Sequence, residues 1–260
     1  MKKISFILIL ALILGFYTSS DALVGVGIHG GIELSKIDAT SSTLDSINLQ
    51  IGDQTETVRL TVNLQEDLSN PVILGGHIFF ELPTIPLDFA INAGIAGQKY
   101  NVIYQFEAND SILASKEIQD VPFNKIYMKL TAKYNIFGFP PVAKIVRLYL
   151  AGDLGYEYIF PALFDANIYS DPKYIELLQT IYDAQSDTPD FTTIKDGIEN
   201  SSEIFDKSSR MVYAIGLGTK IKFPIVPLAF NIDYRYNFAG ELNNIPTTFS
   251  TITFSTSLNF

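Results

Sequence analysis

His29 and His77 are the only two imidazoles in the 260 residues, and the chain has no cysteine. Both histidines fall on the polar parity of strand-like segments that could lie side by side. Two imidazoles make a poor metal site without a third donor beside them. The expected role is that of satisfied polar residues, with no metal and no cofactor. The sequence contains no GxSxG, HExxH, CxxC or phosphate-loop motif. No catalytic residue is expected, and the chain reads as a non-enzyme. A different set of ionisable residues recurs at every second position. Its acids are Glu33, Glu81, Asp88, Asp153, Glu157 and Asp233; its bases are Lys125, Lys129, Lys133, Arg147, Lys220, Lys222 and Arg235. The two halves nearly balance, and the chemistry open to them is ion pairing.

The elements that would position these residues follow from the alternation. Successive side chains of a strand point to opposite faces. Lys125, Lys129 and Lys133 alternate with Ile126, Met128, Leu130, Ala132, Tyr134 and Ile136. Asp233 and Arg235 alternate with Ile232, Tyr234, Tyr236 and Phe238. Eight segments read in this way, starting near Val24, Val72, Leu87, Ile126, Val146, Tyr213, Leu228 and Phe249. Each is long enough to cross a bilayer as a tilted strand, which takes about 9 to 11 residues. Each unpaired backbone group in hydrocarbon costs several kcal/mol, so spanning strands must close on themselves. The fold expected is all-β: a closed antiparallel transmembrane β-barrel. A Lys or Arg at the lipid midplane would cost about 2–4 kcal/mol, so the charged parity should face the axis. An eight-stranded barrel is just wide enough for its own side chains. Glycines at 25, 27, 31, 75, 94, 155, 216 and 218 would make room for them.

Lys2 and Lys3, the apolar run Ile7 to Phe16 and the small residues up to Ala22 read as a signal peptide, 1–22. The alternative, an N-terminal membrane anchor, is short for a span of about 20 residues. Residues 23–260 then form a single barrel domain. A net charge of −10 and a pI near 4.6 argue against nucleic acid, while 14 Tyr and 19 Phe suit membrane girdles.

Three connections are short and proline-rich: Pro83 to Pro86, Gly138 to Pro141 and Pro224 to Pro227. Three others, 35–71, 97–122 and 159–210, are long, and 240–248 is brief. Most of the surplus acid lies in the loops. Residues 44–64 read as a hairpin around GDQT. It either extends the wall beyond the membrane, leaving eight strands, or adds two for a total of ten; eight is favoured. Tyr100, Val102, Tyr104 and Phe106 extend a strand past a change of parity near Gly97, where a bulge or bend is expected. The period of PKYIELLQTIYD, 172–183, predicts a helix with Asp171 as N-cap. Residues 190–206 carry a weaker helical signal.

The last twelve residues, FSTITFSTSLNF, alternate apolar and polar and end on the aromatic Phe260. They resemble the closing strand of a small bacterial outer-membrane β-barrel, and the pattern over 23–260 is similar to the eight-stranded OmpA transmembrane domain and OmpX. That resemblance implies a cell outer-membrane location, short periplasmic turns and long extracellular loops. It implies outer-membrane lipid as surroundings and the barrel-assembly machinery as a partner that reads Phe260. Three roles stay open. One is a structural or surface-interaction barrel with a charge-filled lumen and an extracellular ligand at loops 35–71 and 159–210. Another is a porin-like small-solute channel. The last is a secreted soluble barrel carrying a hydrophobic ligand.

Overall fold

The computed structural model describes residues 23–260 apart from 83–84, 140–144, 161, 186, 193–207, 224–226 and 243–244. The expected signal peptide, 1–22, and most of the weaker helical stretch, 190–206, therefore lie outside the described residues. Twelve strands are described in chain order: β1 (Leu23–Leu34), β2 (Lys36–Ile37), β3 (Ser41–Ile51), β4 (Gln54–Leu64), β5 (Leu68–Ser69), β6 (Val72–Leu82), β7 (Leu87–Ala108), β8 (Ser111–Phe139), β9 (Val146–Ile159), β10 (Ser208–Lys222), β11 (Leu228–Ala239) and β12 (Thr248–Asn259).

Eight of them form a closed antiparallel ring, β1-β6-β7-β8-β9-β10-β11-β12 and back to β1. The β1–β12 seam runs from Gly25↔Asn259 to Leu34↔Ser250, and the Phe260 amide donates to the Val24 carbonyl oxygen at 2.8 Å. With no free edge in the ring, its backbone groups are paired without water. The proline connections lie partly outside the described residues. The strands they join still pair up to Leu82↔Leu87, Phe139↔Val146 and Lys222↔Ala229, so this is the short-turn end of the barrel.

The apolar parity points outward. Leu130 is 52% exposed, and Leu150, Ile215, Leu217, Ile232 and Phe254 are exposed with it. The polar parity points to the axis. Such a shape is inside-out for water and right for lipid, whose tails replace the missing core. A barrel that carried a greasy ligand in solution would have the opposite polarity.

At the other end the molecule regains ordinary polarity. β7 and β8 outrun the wall as a long hairpin, turning at Asn109 and Asp110, both with positive φ. β4 pairs with Val102–Glu107 of β7 and β3 pairs with β4, so four strands stand on the loop end. A two-residue ladder, β2 with β5, ties the base of the β3–β4 hairpin. This hairpin extends the wall beyond the eight-stranded ring.

The change of parity near Gly97 has a different cause from the one expected. β7 carries no bulge there: Gly97 pairs with Asn124 in register. The even residues face inward throughout, as Asp88, Ala90 and Ala96 below and as Tyr100, Val102, Tyr104 and Phe106 above. What inverts is the solvent. Below Gly97 the outside is lipid and the inside is polar; above it the outside is water and the inside is an apolar core. The bulge sits on the partner strand, where Gln119 and Asp120 together face Asn101, and Asp120 takes φ 58°.

That core gathers Leu49, Val58, Leu60 and Val62 from the hairpin and Tyr100 to Phe106 from β7. Phe164, Tyr169, Leu177, Leu178 and Ile181 join from the loop after β9. A short helix, α1 (Ile175–Asp183), supplies the last three. It starts later than the pattern 172–183 suggests. Asp171 accepts from the Lys173 amide and caps a single 3-10 turn over Pro172–Tyr174, from which the α-helix continues. The Tyr104 hydroxyl donates to the Leu163 carbonyl oxygen at 2.8 Å and lies 2.6 Å from the Tyr169 hydroxyl. Burial pushes both phenols well above their ordinary pKa.

Candidate functional site

The one end-to-end feature the strands create is the lumen, and its floor is set by register. Large inward side chains lie directly across from glycine: His29 from Gly75, His77 from Gly27, Tyr127 from Gly94, Lys129 from Gly155, Arg235 from Gly216 and Tyr149 from Gly218. At Gly218 a Cβ would run into the Tyr149 ring, and at Gly216 into the Tyr234 carbonyl and the Arg235 side chain. Each glycine thus lets a long chain lie flat across the neighbouring strand in a barrel too narrow to seat it upright.

The charged residues group into three levels. Near the turns, the Glu81 carboxylate meets Lys220, Lys222 and Arg147 (3.2 Å from Arg147 Nη1). Asp88 there accepts from the Asn135 amide at 3.2 Å. At mid-height, Arg235 bridges Asp153 (3.3 Å) and Asp233 (2.5 Å). Asp233 also accepts from the Tyr149 hydroxyl at 2.8 Å and faces Lys133 at 3.9 Å. Lys129 donates to Asn237 Oδ1 at 3.0 Å and lies over the Tyr127 and Phe249 rings. Toward the loops, Lys125 pairs with Glu33, and Arg210 pairs with Glu157 at 3.0 Å.

Every acid and base of the alternating set is therefore on the lumen side. Four partners were not singled out from the pattern: Arg210, Tyr127, Tyr149 and Asn237. Arg210 falls on the inward parity of β10, which begins at Ser208, ahead of the alternation that is clear from Tyr213 onward. Tyr127 and Asn237 share the charged parity of Lys129 and Arg235, and Tyr149 that of Arg147; the glycine facing each tyrosine gives it room.

Burial is deepest at the loop end. Lys125 and Glu33 are each 2% exposed, while Lys133 and Arg147 are 19% exposed. The loop end is covered by Val121, Phe123, Ile159 and Phe164 of the apolar core. A cavity of about 80 Å³ lies at mid-height, lined by His29, His77, Tyr127 and Lys129 among others. It has room for several waters. Asn135 Oδ1, Arg147 Nε, Asp153 Oδ1, Asn231 Oδ1 and Ser257 Oγ, all on the lumen side, lack a protein partner. Water supplies what such groups need.

A closed eight-stranded ring, apolar outside and ionic inside, is a membrane-spanning barrel. The fold is a small transmembrane β-barrel.

No protein-family model and no curated protein matches the chain. Solved structures do align with it. Neisserial surface protein A aligns at 12% identity over 93% of this chain and 100% of its own, with a TM-score of 0.43. The N-terminal β-barrel domain of Pseudomonas aeruginosa OprF aligns at 12% identity over 91% and 97%, with a TM-score of 0.39. The outer membrane protease OmpT from Escherichia coli aligns at 10% identity over 93% and 98%, with a TM-score of 0.35. These likenesses concern the barrel alone and carry no activity across.

Proposed function

We propose that this is an integral outer-membrane barrel whose work is done at its loop end, outside the cell, as a non-enzymatic surface-interaction protein. The lumen serves as a structural ion-pair network. The observation that carries this reading is the cover. Four strands, one helix and a shared apolar core sit over the end of the barrel where the Glu33–Lys125 and Glu157–Arg210 pairs are most deeply buried. A passive pore needs a continuous wet path, and an apolar layer opposes one. The bulk of ordered structure beyond the lipid also exceeds what closing a barrel requires. The loop segments expose an acid surplus, with Asp38, Asp45, Asp53, Glu56, Glu66 and Asp67 against Lys36 and Arg59 between β1 and β6. An extracellular ligand at 35–71 and 159–210 would meet this surface. Outer-membrane lipid surrounds the belt, and the assembly machinery would read the strand ending at Phe260.

Planar-bilayer recording tests the reading. Rare or absent openings are expected from the intact mature protein. Steady ohmic steps would instead favour the small-solute channel, with selectivity set by the lumen lysines and arginines.

A further inference from the structure

We propose that the mid-height cavity of the lumen holds one small monovalent inorganic anion, of the chloride class, against Lys129 and Thr251. This goes beyond the surface role and depends only on the barrel. The charges of the lumen do not cancel: the alternating set has six acids and seven bases, and Arg210 makes the bases eight. Glu33 takes Lys125, and Glu157 takes Arg210. Asp153 and Asp233 share Arg235, and Lys133 stands 3.9 Å from Asp233. Lys129 is left over. Among the described residues no carboxylate pairs with it, and its oxygen acceptor is Asn237 Oδ1 at 3.0 Å. An ammonium has three N–H groups to give. An uncompensated charge held away from bulk water costs several kcal/mol, and a counter-ion in the cavity removes that cost.

The surroundings of this ammonium favour an anion. The Asn237 amide nitrogen donates to the Phe249 carbonyl oxygen at 3.3 Å and to Thr251 Oγ1 at 3.4 Å, which turns Oδ1 toward Lys129. One amide thus holds two donors side by side, because the Thr251 hydroxyl accepts there and keeps its own proton to give. The Tyr127 and Phe249 rings, 5.3 and 5.8 Å from Nζ, wall the ammonium on its apolar sides. Lys129 and Thr251 both line the cavity, whose 80 Å³ takes a halide and a few waters. Asp153 and Asp233 also line it and oppose an anion, but Arg235 and Lys133 match them charge for charge. The Asp153 Oδ1 that lacks a protein partner is left to water. The way in is the turn end, where Lys133 and Arg147 are partly hydrated and attract anions.

The test is urea unfolding of the folded mature protein in detergent, with gluconate exchanged for bromide at fixed ionic strength. The midpoint should rise with bromide and level off, as one saturable site requires. Gluconate is too large for the cavity and should not act in this way. Lys129→Gln should abolish the rise. Thr251→Val keeps the charge and should raise the half-saturating bromide concentration about fivefold. Lys99→Gln, at an exposed lysine paired with Asp120, should respond as the parent does. Heat-modifiable migration establishes that each variant is folded. Crystals soaked in bromide should show an anomalous-scattering peak beside Lys129 Nζ. A parent indifferent to the halide, a folded Lys129→Gln that responds like the parent, or bromide on the exterior alone, an adventitious ion only, would overturn the proposal.

Discussion

Glu81 concentrates the energetics of single residues in this lumen. One carboxylate faces three cations at the turn end, and it is 7% exposed. Removing its charge leaves Lys220, Lys222 and Arg147 to repel one another in a confined space. Glu81→Gln should lower stability by about 3–5 kcal/mol, read as an earlier midpoint in urea unfolding of the detergent-folded barrel. The glycines act by absence. Gly218→Ala sets a methyl against the Tyr149 ring, which its bond to Asp233 holds in place, and should cost about 1–3 kcal/mol. Gly30→Ala, where the nearest atoms are 3.6 Å away, should fold as the parent does. Equal heat-modifiability for the two would show that the lumen is not packed by register. At this scale the alternation alone reported side and sign, because a strand's period leaves a residue only two faces. It did not report partners. The Asp153–Arg235–Asp233 bridge spans three strands, and pairing across a ring depends on tilt and stagger, which no local pattern carries.

Among the elements, β7 and β8 decide the shape. Their wall segments were plain in the sequence. The hairpin above them was half legible: Tyr100, Val102, Tyr104 and Phe106 read as an extension of β7, but the returning arm did not, because Asn109-Asp110 is a modest turn signal beside the proline turns. The parity change at Gly97 was visible, but its cause was a change of surroundings that sequence period cannot distinguish from a bulge. The helical pattern in PKYIELLQTIYD was legible through Leu177, Leu178 and Ile181, whereas the core it packs into was not. Leu178 is fully buried there, so Leu178→Ala should cost this tier about 2–5 kcal/mol. Amides of β3 and β4 should exchange faster while those of the ring keep their protection. β3 is an outer strand, and the Gln179 side chain covers part of its edge by binding both the amide and the carbonyl of Gln50, each at 3.0 Å. Gln179→Ala should speed exchange at Gln50 and leave β11 unchanged.

The whole molecule is two bodies of opposite polarity on one continuous set of strands. The barrel is greasy outside and ionic inside; the tier above it is polar outside and apolar inside. Every reading of the lumen, the cover and the surface rests on which side of the ring meets lipid. Having no cysteine, the chain can take one introduced cysteine at a time for nitroxide labelling, with no native thiol to remove. The decisive measurement is spin-label accessibility in proteoliposomes, with labels placed one at a time at Ile91, Leu130, Leu150 and Phe254, and at Asn92 and Thr253. Oxygen, which concentrates in lipid, should broaden the first four, and a water-soluble nickel chelate should not. Asn92 and Thr253 should be shielded from oxygen. Lipid-phase contact at Asn92 and Thr253, with Leu130 and Leu150 sealed away from it, would contradict the account.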